Sequence, residues 1–171
     1  YLSAFDVKNF KAKKMLFLVH RENILISAKQ SFENIIPNKT FGLFTGNKKE
    51  KNKDYIFSTI QTMSLYFEEF EKNEFDYIII DEAHHVTSPT YKKVLEYFKP
   101  KFLLGLTATS NRMDGNSIYE IFDENIACDI RLNDALEHDL IVPFHYFGIS
   151  DIKSIDYENV DLTKIDVLAK L

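Results

Sequence analysis

The chain has 171 residues, a formal net charge of −5 and a hydrophobic content of 45%, with 15 Phe and 9 Tyr. This composition excludes a disordered tail and a surface coated in positive charge, and it supports one domain with a sizeable core. A single cysteine, Cys128, excludes an internal disulfide framework and fits a reducing, cytoplasmic setting. No apolar run reaches membrane-spanning length, and Tyr1-Leu2-Ser3-Ala4-Phe5 carries no signal-peptide pattern and reads as a cut end. Cys128 follows Ile126-Ala127, which predicts a buried thiol.

In chain order, residues 1–10 are helix-like, and Met15–Val19 is a short apolar run between Lys13-Lys14 and His20-Arg21. Residues 22–32 have helical spacing, with Ile24, Leu25, Ala28 and Phe32 on one side and Pro37 ending the region. Residues 40–44 predict a strand that stops at Thr45-Gly46, and residues 54–58 another. Residues 62–70 are helix-like, 77–80 a fully apolar strand, and 89–98 a helix with Ser88 as its N-cap and Pro89 in its first turn. Phe102–Leu106 is the next apolar strand. Beyond Arg112 the pattern weakens: residues 117–122 and 132–138 predict helices, and 141–148 a strand interrupted by Pro143. The clusters Lys8, Lys11, Lys13, Lys14 and Lys48, Lys49, Lys51, Lys53 read as solvated surface.

Continuous apolar strands alternating with helices predict an α/β fold, a mainly parallel sheet covered on both faces. Ligands of such sheets sit at the carboxyl ends of the strands. Each strand here is followed by polar groups: His20-Arg21, Thr45-Gly46, Thr59-Ile60-Gln61-Thr62, Asp81-Glu82-Ala83-His84 and Thr107-Ala108-Thr109. That edge is the expected site.

The apolar strand 77–80 ends in two acids, Asp81 and Glu82. A strand-end Asp81 suits a magnesium ion, held directly or through water, and Glu82 can take the proton of an attacking water. His84 and His85 form a poor metal pair, because chain neighbours rarely converge on one ion. His85 is expected to be a plain packing or surface residue.

The run Asp81-Glu82-Ala83-His84 resembles motif II of DEAH-type superfamily 2 helicases. Leu103-Leu104-Gly105-Leu106-Thr107-Ala108-Thr109 looks like their motif III, with Ser110 where a Pro is usual. Phe17-Leu18-Val19-His20-Arg21 resembles motif Ia, Ser58-Thr59-Ile60-Gln61-Thr62 motif Ic, and Thr45-Gly46 sits where motif Ib is expected. Asn111-Arg112-Met113-Asp114-Gly115 and the run from Leu132 to Phe144 fit the restriction-enzyme-type (ResIII) branch.

The resemblance implies a RecA-like P-loop NTPase fold and an ATP-dependent helicase or translocase of restriction or repair type that uses Mg2+ and ATP. It implies catalytic roles for Asp81 and Glu82, with His84 passing the nucleotide state to Thr107 and Thr109. It implies nucleic-acid contacts at Arg21, Thr45, Gly46 and Thr59, on DNA rather than RNA; the plain alternative for Thr59 is a helix cap. Residues 1–148 are then a partial first motor domain and 149–171 a linker toward a second one, with restriction or repair subunits as further partners.

None of Gly42, Gly46, Gly105, Gly115 and Gly148 precedes Lys-Ser or Lys-Thr, so the phosphate-binding loop is missing from these residues and the expected fold is truncated at that end. The alternative is a non-catalytic interaction domain that keeps the helicase fold. The intact Asp81-Glu82 pair favours the motor, because a degenerate domain has no need of it.

Overall fold

The structure is a computed structural model that describes residues 1–109 and 118–142. The chain divides into two compact units, Tyr1–Ala127 and Cys128–Leu171. The first holds a five-stranded, all-parallel sheet in the order β2-β3-β1-β4-β5. Its strands are β1 (Met15–Val19), β2 (Phe41–Phe44), β3 (Tyr55–Thr59), β4 (Tyr77–Asp81) and β5 (Phe102–Leu106). Its helices are α1 (Leu2–Phe10), α2 (Glu22–Ile35), α3 (Ile60–Tyr66) and α4 (Pro89–Tyr97).

The three central strands are buried on both faces, which is why they read as unbroken apolar runs. Their pleat splits the side chains into two cores. Leu16, Leu18, Ile56, Ile78 and Ile80 pack with residues of α3 and α4, among them Met63, Tyr91 and Val94. Met15, Phe17, Val19, Phe57, Tyr77 and Ile79 pack with Ala4 and Val7 of α1 and with Leu25 and Phe32 of α2. Burial of one such side chain stabilises the fold by about 1.5–3 kcal/mol.

The start of the sheet is fastened by Asp76, whose carboxylate accepts the N–H groups of Lys13 (3.0 Å) and Lys14 (3.2 Å) and pairs with Lys101 (2.7 Å). At the other end, Gly105 of β5 has a packing reason. A Cβ there would lie 2.4 Å from the Phe122 ring, which a 3-10 turn (Tyr119–Phe122) lays against the strand.

Several boundaries differ from the sequence reading. α3 begins at Ile60 because the Thr59 hydroxyl accepts the Thr62 N–H (3.3 Å), and after Tyr66 it tightens into a 3-10 turn (Phe67–Glu69). α2 runs on to Ile35, just before the proline. Ser88 is the N-cap of α4, but its side chain makes no capping bond. The segment expected as a helix up to residue 122 is only a single 3-10 turn.

Cys128 is exposed, not buried. It lies in a stretch without helix or strand, where Ile126 and Ile130 are exposed as well, so its apolar neighbours form no core around it. In the second unit α5 (Leu132–Glu137) is capped by its own Asp134, which accepts the Arg131 N–H at 3.1 Å. The expected strand at 141–148, the domain boundary at 148, the linker 149–171 and residues 111–115 lie wholly or largely outside the described residues. No described helix is long and apolar enough to cross a membrane.

Candidate functional site

Because all five strands run the same way, their carboxyl ends line one edge of the sheet. Read across that edge from β2 to β5, the chain places Thr45 and Gly46, then Thr59, then His20 and Arg21, then Asp81 to His84, then Thr107 and Thr109. The expected site residues therefore fall into two neighbouring halves, a hydroxyl-and-arginine half and an acidic half.

In the acidic half, strand alternation puts Asp81 on the side of Tyr77 and Ile79, facing α1 and α2. It lines a cavity of about 220 Å³ with Ser3, Phe17, Ser27, Ser31 and Leu106. Burial raises the Asp81 carboxyl above its usual range; the Glu82 N–H, 3.1 Å away, opposes this and the Glu82 charge adds to it. Asp81 has no ion-pair partner among the described residues.

The backbone then turns abruptly. Glu82 takes the left-handed conformation (φ 55°, ψ 50°), which L-residues avoid by roughly 1–2 kcal/mol, and a one-turn 3-10 helix, Ala83–His85, follows. The turn carries the Glu82 carboxylate out of the strand line to meet His84, Oε2 to Nδ1 at 3.2 Å. The same Nδ1 lies 3.1 Å from Thr107 Oγ1 at the end of β5. Thr107 Oγ1 donates its proton to Thr109 O and accepts the Thr109 N–H, both at 3.1 Å. It meets His84 at the same nitrogen that the Glu82 carboxylate meets.

One member of this half gave no sequence signal. Tyr91 of α4 is buried, and its hydroxyl has no hydrogen-bond partner among the described residues. Burial first, then the charges of Asp81 and Glu82, push it up to about 12.

A partly desolvated carboxylate suits a hard divalent cation. No group of three or more His, Cys, Asp or Glu side chains is placed to hold a metal among the described residues. Asp81 is the residue that would hold such an ion, with water and phosphate oxygens as the further ligands magnesium commonly takes. The residues present fit the ion and an attacking water. They do not include a phosphate cradle.

The other half is less direct. Thr45 is buried and its hydroxyl lacks a partner among the described residues. Thr59 is buried too, and its hydroxyl is used in capping α3 and in a 3.0 Å bond to Thr62 Oγ1. Both hydroxyls point inward, and the Thr45 N–H is donated to Lys48 O at 2.7 Å. Gly46 is exposed, with open space where a Cβ would stand. Arg21 is exposed at the N-cap of α2, and its guanidinium has no ion pair among the described residues.

Residues 1–112, which hold the whole described sheet and both halves of its edge, match the family described as type III restriction enzyme, res subunit. The chain belongs to this family. As a res-subunit-type domain it has the RecA-like fold of the first motor domain of superfamily 2 helicases. It is 28% identical over 124 residues to the candidate ATP-dependent helicase IRC3 of Saccharomyces cerevisiae, covering 68% of this chain and 18% of that protein. It is 32% identical over 122 residues to the candidate mitochondrial ATP-dependent helicase irc3 of Schizosaccharomyces pombe, covering 66% and 20%. The chain thus spans about a fifth of the length of these relatives. The fold recurs in the Sulfolobus solfataricus SWI2/SNF2 ATPase core in complex with dsDNA (TM-score 0.55, 23% identity, 69% of this chain and 27% of that one). It recurs also in the Pyrococcus furiosus Hef helicase domain (TM-score 0.54, 22% identity, 71% and 30%).

Within the res-subunit-type domain, His20, Gln61 and His85 form contacts that sequence reasoning did not anticipate. Gln61 Nε2 lies 3.2 Å from His20 Nδ1, and the His85 ring sits between those of His20 and His84.

Proposed function

We propose that this chain is the nucleotide-hydrolysing face of an ATP-driven helicase or translocase, acting on DNA rather than RNA in a restriction or repair setting. The observation that carries the reading is the bond pattern Glu82–His84–Thr107, which ties the candidate base just after β4 to the end of β5 beside a desolvated Asp81.

In this reading Asp81 would hold a magnesium ion, through water, and the ion would supply charge neutralisation at the transferring phosphate. Glu82 orients the attacking water and takes its proton. His84, hydrogen-bonded at one nitrogen to both Glu82 and Thr107, reports the state of the acid to Thr107 and Thr109. A phosphate loop and a second motor domain, supplied by a longer polypeptide, complete the ATP site. Arg21, the Gly46 turn and the loops that carry Thr45 and Thr59 hold the sugar-phosphate backbone of one strand without reading bases.

The reading is tested in that longer polypeptide. Glu82→Gln is expected to lower ATP turnover by about a hundredfold or more while nucleotide affinity stays near wild type, because the amide keeps the shape and loses the base. In the same protein Arg21→Ala is expected to weaken single-strand binding several-fold, with a shallower salt dependence. Steady-state ATPase, nucleotide binding and fluorescence anisotropy at two salt concentrations measure all three. Turnover of Glu82→Gln within a few-fold of wild type removes Glu82 from the base role. Unchanged anisotropy of Arg21→Ala moves the strand path elsewhere.

A further inference from the structure

Three imidazoles stand in a row across the middle of the sheet's carboxyl edge. His84 is bonded to Glu82 and Thr107. The His85 ring lies on it, with centroids 4.1 Å apart and planes tilted by 48°. On the other side His20 lies 5.3 Å from His85, tilted by 33°. His20 in turn accepts a hydrogen bond from the Gln61 side-chain amide, whose nitrogen can only donate. The row therefore starts at the acids on β4 and ends at two elements of the other half: the β1 end, where His20 is followed by Arg21, and α3, where Gln61 lies in the turn that Thr59 caps.

The mechanics follow from the backbone. Glu82 precedes, and His84 and His85 belong to, one short 3-10 turn, in which the His85 N–H bonds Glu82 O at 3.0 Å and the Val86 N–H bonds Ala83 O at 3.0 Å. A turn this short moves as a unit. When Glu82 and His84 adjust, His85 is carried with them, and its ring has His20 against it. Strands β1 and β4 are hydrogen-bonded neighbours with a fixed register, so the strands themselves do not absorb the motion. It is delivered to the residues beyond the strand ends, His20 and Arg21.

We propose that His85 is a positioning residue that couples the acidic half to the nucleic-acid half, through ring contact with His84 on one side and His20 on the other. The inference rests on the function proposed above and adds a residue to which neither the helicase-type motifs nor the family match gives a role. Its requirement is a flat ring at position 85, so a phenyl ring replaces the imidazole and a methyl group does not.

The test uses the longer polypeptide that carries the phosphate loop and the second motor domain, with His85→Ala and His85→Phe beside wild type. Basal ATPase, ATPase with saturating single-stranded oligonucleotide, oligonucleotide affinity and thermal midpoint are read for each. His85→Ala is expected to lose about tenfold of the nucleic-acid stimulation, with basal rate and affinity within about twofold of wild type. His85→Phe is expected to recover most of the stimulation. Stimulation of His85→Ala equal to wild type overturns the coupling and leaves the function reading standing. A wild-type protein that oligonucleotide does not stimulate overturns the function reading, and the coupling with it. Failure of His85→Phe to restore stimulation, in a protein that melts like wild type, also overturns the coupling, because it removes ring contact as the cause.

Discussion

Strand β4 is flanked by two aspartates that sit in opposite surroundings. Asp76 stands just before the strand, and Asp81 closes it. The Lys101 ammonium, and then the N–H groups of Lys14 and Lys13, hold the Asp76 carboxyl below its usual range against the effect of burial. Asp81 has one N–H, from the next residue, and burial and the neighbouring Glu82 charge raise it. The same side chain thus strengthens the fold at one end of the strand and weakens it at the other. The difference separates the work of the two ends: the amino end of the sheet is finished, and the carboxyl end is left short of partners that a ligand can supply.

The largest test of this contrast is Asp76→Ala. It removes an acceptor from two backbone N–H groups and should destabilise the chain by about 2 kcal/mol at neutral pH, measured by urea unfolding. Most of that loss belongs to the N–H bonds, because Lys101 is 71% exposed and its ion pair is screened by solvent. A change below about 0.5 kcal/mol would mean that Asp76 does not fasten the amino end.

Asp81→Asn should act in the other direction and more weakly. The folded state disfavours the Asp81 charge, so removing it should raise the unfolding midpoint at neutral pH. The pH dependence sharpens the pair. The depressed Asp76 contributes stability above its unfolded value of 3.8, and this is lost as pH falls through its folded value. The raised Asp81 costs stability above its folded value, and the cost disappears as pH falls toward 3.8. Both mutants should therefore approach wild type on acidification, Asp76→Ala from below and Asp81→Asn from above. If Asp81→Asn melts below wild type at neutral pH, the carboxylate has a stabilising partner and the contrast fails.

Much of the fold was legible because the central strands are buried on both faces. Met15–Val19 and Phe102–Leu106 have the bounds the apolar runs gave them, and β4 only gains its terminal Asp. Parallel strands also made the polar residues after each run a usable guide to one edge. Side-chain direction at that edge was less legible. Thr45 and Thr59 stand where expected, yet their hydroxyls point inward, and for Thr59 only the local bond to Thr62 decides this. Cys128 misled because apolar neighbours in sequence bury a residue only where an element packs over it. The row His20–His85–His84 could not be read from the sequence, because it depends on β1 and β4 being neighbours in the sheet.

The left-handed backbone at Glu82 has a consequence for anyone who re-engineers this domain. Glycine takes that conformation without strain and asparagine more readily than glutamate. A search for thermostability that scores each position on backbone fit alone will therefore propose replacing Glu82, and the replacement will express and melt well. Asp81, a few atoms away, will attract the same suggestion on electrostatic grounds. Optimised for robustness alone, the domain would be offered both replacements, and no assay of folding would count against them.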